Sequence, residues 1–319
     1  MITALRGIDR PTLIATGFIV VILICGTAYT IATQGSASFV SPAYLLQQLR
    51  IAAFLGIAAI GLMLVILLGH IDLSVPWTIA ASAMLGTAVG GTYAIPVALG
   101  VGLGVGLFNG IGVAVLRVPS MIFTLGVNAV LRGLMVMLTG GFAPQSSATR
   151  PMIWLANGQL IPGLPIANAV LVWALIALAV AFMLSRTPLG RYIYATGNRE
   201  AATYLSGVNT RLVLIACFVA CSMCAALVGV LLAGYTSKAF QAMGDVYLLP
   251  AIAAVVVGGT SILGGSGRVT GTIVGTVLIV LLQSLLSVMQ MPEAGRQVIY
   301  GLVIIVMLLA YGRRGAIRS

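Results

Sequence analysis

Among the 319 residues, side chains able to do covalent or metal chemistry are few and scattered: one histidine, His70, five acids, Asp9, Asp72, Glu200, Asp245 and Glu293, and a lone lysine, Lys238. From Gly259 the chain reads GTSILGGS, the spacing of a phosphate-binding G-x-x-x-x-G-K-[ST] loop with Gly265 where the lysine belongs. ATP hydrolysis needs that cation against the β- and γ-phosphates and an acid for magnesium. Lys238, in YTSKAFQ, has no glycine-rich lead-in. The loop therefore mimics a nucleotide site without its chemistry. Ser266 in GGSG would suit an intramembrane serine protease only with a base. His70 precedes it in the chain, the reverse of the rhomboid-type order. The acids and the histidine show no metal-ligand spacing. The chain reads as a non-enzyme, with no cofactor of its own.

Cys217, Cys221 and Cys224 make C-x-x-x-C-x-x-C inside the apolar run ACFVACSMCAALVGV. Offsets of four and three place small polarizable side chains on one helix face, a packing pattern. A cluster would need a loop and compensating charge. Cys25 stands alone in the first apolar run, so no disulfide framework is implied.

The chain is 61% hydrophobic and 7% charged, against about 25% charged in a soluble domain. This composition defines a membrane protein. Its net charge of +11 comes from arginines thinly spread at the ends of apolar runs, the placement of orientation signals and not of a nucleic-acid surface. Apolar runs bounded by Gly, Pro or charge predict helices at Leu13–Ala32, Ile51–Leu68, Val75–Val89, Ala94–Leu116, Met121–Leu138, Ile166–Leu184, Leu212–Gly234, Leu248–Val257, Val269–Met289 and Val298–Tyr311. The expected fold is an all-α polytopic membrane protein of about ten transmembrane helices in a single domain, 1–319. The run after Arg6 and Arg10 is too long for a signal peptide and reads as an uncleaved first span. The short runs at Val75 and Leu248 are expected to be broken or re-entrant.

With the N-terminus inside, alternation puts Arg6, Arg10, Arg117, Arg186, Arg191, Arg199, Arg211, Arg268, Arg313, Arg314 and Arg318 on the cytoplasmic side. Arg50, Arg150, Lys238 and Arg296 fall outside, and Arg132 lies within a span. The bias predicts both termini in the cytoplasm.

Polar residues in or beside spans are the candidates for a translocation pathway or gate: Asp72, Ser74, Asn128, Arg132, Thr260 and Ser261. Asp72 has two readings. It or Ser74 caps the following helix, with Pro76 in the first turn, or it lines a route at a broken helix. Arg132 reads as snorkelling or paired. The glycines at 258, 259, 264, 265, 267 and 271 suit close packing or sharp turns.

The longest polar stretch assigned to the inner side, 185–211, reads SRTPLGRYIYATGNREAATYLSGVNTR. It predicts a short helix after Pro188, a turn at Thr196–Asn198, and a second helix from about Asn198 to Gly207. With no apolar core of its own, it suits either anchoring on lipid headgroups or docking of a protein partner, and Glu200 and the small alanines suit docking.

Four stretches in order resemble the permease subunits of ribose-type sugar ABC importers: GHIDLSV (69–75), FNGIGVAVLRVPSMIFTLGVNAVLRGL (108–134), TPLGRYIYATGNREAATYLSGV (187–208) and LLPAIAAVVVGGTSILGGSGRVTGT (248–272). The resemblance runs from about Leu45 onward. It implies a bacterial inner-membrane subunit paired with a second permease, driven by two cytoplasmic ATPase subunits that bind ATP and magnesium, and supplied by a periplasmic sugar-binding protein. It implies that Arg191, Gly197, Asn198, Glu200, Ala201, Ala202 and Gly207 belong to the ATPase-coupling loop, since Glu200-Ala201-Ala202 followed by Gly207 is similar to that family's E-A-A…G. His70, Pro76 and Leu249-Pro250 depart from the family pattern, so the implied substrate extends to a pentose, hexose or related polyol. Two other classes compete: an ion-driven secondary transporter using Asp72, and a non-transport scaffold.

Overall fold

The computed structural model describes residues 10–140, 146–161, 163 and 165–315. Arg6, Asp9 and Arg318 lie outside these residues, as do the side chains of Arg10, Arg313 and Arg314. The described chain is built from helices: α1 Arg10–Gln34, α2 Pro42–Ile66, α3 Val75–Val89, α4 Ala94–Ala114, α5 Ser120–Thr139, α6 Arg150–Asn157, α7 Asn168–Arg186, α8 Pro188–Asn198, α9 Glu200–Leu205, α10 Thr210–Thr236, α11 Leu248–Val257, α12 Val269–Val288 and α13 Glu293–Gly315. A helix stands at every expected span. Seven of them, α1, α2, α4, α5, α7, α10 and α12, are long and apolar enough to cross a membrane, whereas Val75–Val89 and Gln241–Val257 are shorter apolar helices.

The centre of the bundle is α2, α3, α4 and α10. From Ala52 onward α2 is buried on every face, as expected of a helix hydrophobic all round. In contrast α1, α5 and α7 turn Phe18, Ile122, Leu175 and Phe182 outward, a surface that hydrocarbon would solvate. Helix α4 packs antiparallel on α10 through Gly102, Gly106 and Gly110. A Cβ at Gly106 would lie 2.6 Å from the Val219 Cα, and one at Gly110 2.8 Å from the Ile215 Cα. Small residues four apart let two backbones touch, which is how helices associate where lipid removes the hydrophobic drive. The cysteines of α10 serve the same packing: Cys217 and Cys221 are buried, all four cysteines are free, and Gly61 of α2 makes room for the Cys224 Cβ, 2.8 Å from where its own would stand.

Two helices stop in the same way. At the end of α2, Gly69 takes φ +78, its amide bonds to Ile66 and that of His70 to Val65. At the end of α11, Gly259 takes φ +91, with its amide on Val256 and that of Thr260 on Val255. Both are Schellman caps, in which a left-handed glycine satisfies the last carbonyls. The loop that follows the α11 cap meets the capped end of α2, since the Gly265 amide bonds to Leu67 O at 2.9 Å.

Sequence reasoning missed α6, which fills the opposite end. Its Met152 is fully buried against Gly234 of α10, and Asn157 bonds to Gly234 O at 3.0 Å. The turn expected at Thr196–Asn198 is helical instead, the last residues of α8, and α9 starts at Glu200.

Candidate functional site: a buried helix break and the segment that grips it

Between α2 and α3 the chain runs non-helical from Leu67 to Ser74. Where such backbone is buried, as at Asp72 and Ser74, its polar groups must find partners within the protein. Asp72 supplies some of them. Its Oδ1 accepts the Ser74 amide at 2.9 Å and the Ser74 hydroxyl at 2.6 Å. Asp72 and Ser74 are both fully buried, and Pro76 sits in the first turn of α3. Asn109 of α4 donates to Ser74 Oγ at 2.8 Å and reaches both Asp72 oxygens at 3.4 Å. The carboxylate thus acts as an anchor, joining the start of α3 to α4.

The first turn of α5 holds the other side of the break. Thr124 Oγ1 accepts the Leu73 amide at 2.9 Å, and Ser120 Oγ lies 3.2 Å from His70 Nδ1 and 3.4 Å from the Ile71 amide. Burial holds the half-buried His70 imidazole below its ordinary pKa, with Glu200 opposing and Arg117 adding to that shift.

The 185–211 segment lies on this same end. Thr187 caps α8 by accepting the Gly190 amide, with Pro188 in the first turn. Gly197 packs directly on Leu67 O, and Asn198 donates to Gly265 O at 3.3 Å. Tyr194 OH donates to Gly267 O at 2.8 Å, and burial raises its pKa. Glu200 accepts Arg117 Nη1 at 2.7 Å and the Thr210 hydroxyl at 3.1 Å. Arg191, Ala201, Ala202 and Gly207 are exposed, and beside them Leu205 is 85% exposed. Tyr204, Leu205, Gly207, Val208, Asn209 and Arg211 line an open cavity of about 550 Å³.

The structure thus brings Asp72, Ser74, Gly197, Asn198 and Glu200 to one end of the bundle, and the loop of Thr260 and Ser261 joins them there. Thr260 is buried, with no hydrogen bond to its hydroxyl, and the Ser261 amide bonds to Ser266 O at 2.8 Å. Asn128 and Arg132 stand apart on α5. Asn128 is half-buried with an unpartnered Oδ1, and Arg132 lies over the Trp77 ring at 5.9 Å. Ser266 is exposed in a cavity of about 830 Å³ with Tyr194 and Arg268, while the His70 imidazole pairs with Ser120; no hydrogen bond joins Ser266 to His70 among the described residues. Asn109, Arg117, Ser120 and Thr124 were not singled out from sequence. An Asn inside an apolar span was a readable signal, since such a side chain needs a partner.

A helical bundle with seven helices long and apolar enough to cross a membrane, a broken helix and an exposed helical elbow is the architecture of a polytopic membrane protein. Residues 44–308 match the family described as branched-chain amino acid transport system / permease component, and the chain belongs to that family. It is 35% identical over 278 residues to the ribose import permease protein RbsC of Escherichia coli (strain K12), covering 85% of each chain. It is 34% identical to RbsC of Haemophilus influenzae over 88% of each chain. It is also 34% identical to the autoinducer 2 import system permease protein LsrC of Salmonella paratyphi B, covering 82% of this chain and 76% of that one. The resemblance to ribose-type importer permeases is borne out. No solved structure matches.

Proposed function

We propose that the chain is the membrane-spanning subunit of an ATP-driven importer for a small neutral polyhydroxylated solute: a pentose such as ribose, a hexose or a related polyol. The observation that carries this reading is the α8–α9 elbow. It presents Ala201, Ala202 and Leu205 outward while Gly197 packs it on the helix break and Glu200 ties it to Arg117. An exposed apolar knob on a polar end suits a protein partner, and the relatives are import permeases. The partners are a cytoplasmic ATPase pair, a second permease subunit and an external binding protein. The Arg117 end faces the cytoplasm, both termini lie there, and about ten helices cross the bacterial inner membrane. ATP-driven closure of the ATPases rocks the two permeases around a shared route. A neutral solute needs hydroxyl and amide partners there, consistent with a chain that carries few acids.

The test is co-reconstitution of the chain with its ATPase and binding protein in proteoliposomes. Uptake of labelled ribose, hexose or polyol should require ATP. Uptake that ignores ATP and follows a sodium or proton gradient would replace this reading with an ion-coupled carrier using Asp72.

A further inference from the structure

Both ends of the Leu67–Ser74 break are held by the docking elbow, one directly and one through a neighbour. At Leu67 the contact is direct, because Gly197 of α8 packs so closely on the carbonyl that a Cβ there would overlap it. At residues 70–73 the grip belongs to Ser120 and Thr124. Thr124 is fully buried, and its hydroxyl also donates to Ser120 O at 2.8 Å, so both of its hydrogen-bonding roles are used. Three residues before Ser120 stands Arg117, in the left-handed region at φ +58, and Pro119 stiffens the link between them. Arg117 in turn holds Glu200, the first residue of α9, at 2.7 Å.

We propose that Arg117, Ser120 and Thr124 form a strut that carries displacement of α9 to the Asp72 break, with the Gly197–Leu67 contact as its fulcrum. Because the break continues into Ser74 and thence to Asn109, a partner seated on α9 resets the buried start of α3 relative to α4. The three are positioning residues, and the proposal rests on the reading of α8–α9 as a docking elbow.

Cys221 supplies a reporter that needs no partner. It is 1% exposed on α10, within electrostatic reach of Asp72. With Cys25, Cys217 and Cys224 replaced by alanine, the full chain in nanodiscs is alkylated with N-ethylmaleimide and the rate followed by mass spectrometry. Thr124→Val, which leaves the Leu73 amide unpaired, should speed labelling about ten-fold, and Thr124→Ser should keep the parent rate. Arg117→Gln should speed it about three-fold, the scale of a part-exposed ion pair. Glu200→Arg should do the same, and the double exchange Arg117→Glu with Glu200→Arg should return to the parent rate. Lys238→Gln, exposed at the opposite end of the bundle, is the unchanged control. Equal labelling in parent, Arg117→Gln and Glu200→Arg would overturn the strut, whatever Thr124→Val does. If Thr124→Val fails to fold, the Arg117 and Glu200 rates decide alone. In proteoliposomes the Arg117→Gln variant should also move less solute per ATP than the parent. A parent that shows no ATP-dependent uptake defeats the importer reading and leaves the labelling result standing.

Discussion

The Nδ2 of Asn109 lies 2.8 Å from Ser74 Oγ and 3.4 Å from each oxygen of Asp72, so a side chain from the C-terminal half of α4 ties down the end of the break between α2 and α3. Asp72 in turn accepts the Ser74 amide and hydroxyl. An anchor role makes a split expectation. Asp72→Ala removes the acceptor of a buried amide and should lower stability by about 1–3 kcal/mol. Asp72→Asn keeps an acceptor oxygen and should lower it less. Thermal melting and uptake, measured on the same two variants, separate the roles: lost uptake at parental stability in Asp72→Asn would make Asp72 part of the solute route.

Gly197 and Gly207 are both expected to resist substitution, for different reasons. A Cβ on Gly197 meets Leu67 O, so Gly197→Ala should cost about 1–3 kcal/mol, the range for overpacking. Gly207 faces open space but holds φ +85, and Gly207→Ala should cost about 1–2 kcal/mol through the left-handed backbone. Denaturation in detergent checks both.

Glu200→Arg should leave the subunit folded. The ion pair with Arg117 is solvent-exposed in part, and such pairs contribute about 0–1 kcal/mol. Pull-down of the ATPase by the tagged chain should fall several-fold. Undiminished co-purification together with undiminished coupled transport would remove Glu200 from the docking surface.

His70 gives the chain a pH dependence of known sign. Burial lowers its pKa in the folded state below 6.5, so the unfolded chain takes up the proton first. Stability is complete above about pH 6.5 and declines as the pH falls below it. Melting temperature should therefore drop between neutral and mildly acidic buffer, and His70→Gln should flatten that drop. An unaltered slope in His70→Gln would assign the effect to another group.

Much of this architecture was readable in advance. The ends of α3 and α11 coincide with the apolar runs Val75–Val89 and Leu248–Val257, because glycine and proline punctuate those runs and backbone inside a bilayer has few alternatives to helix. What escaped was decided by contacts between distant segments. Gly197 looks like a turn residue, yet it sits in a helix, and it is glycine because the carbonyl of Leu67 leaves no room for a Cβ there. Helix α6 is only eight residues long and carries no apolar run of spanning length, so what marks it is the packing of Met152 and Asn157 on Gly234. Asp72 was legible as an intramembrane acid, but the identity of its partner was not. Asn109 lies 37 residues away, and nothing local marks the pair. The grips of Thr124 on Leu73 and of Arg117 on Glu200 are likewise invisible without the fold.

The carbonyl of Leu67 ties the first third of the chain to the last. It is made early, yet the amide that satisfies it belongs to Gly265 and the surface that packs it to Gly197. During synthesis Asp72, Asn109 and Thr124 can therefore fasten residues 72–74 early, while the Leu67 carbonyl waits for the loop after α11 to supply its amide. A chain truncated before Gly265 would lack the amide that satisfies that carbonyl, leaving the end of α2 without its last partner.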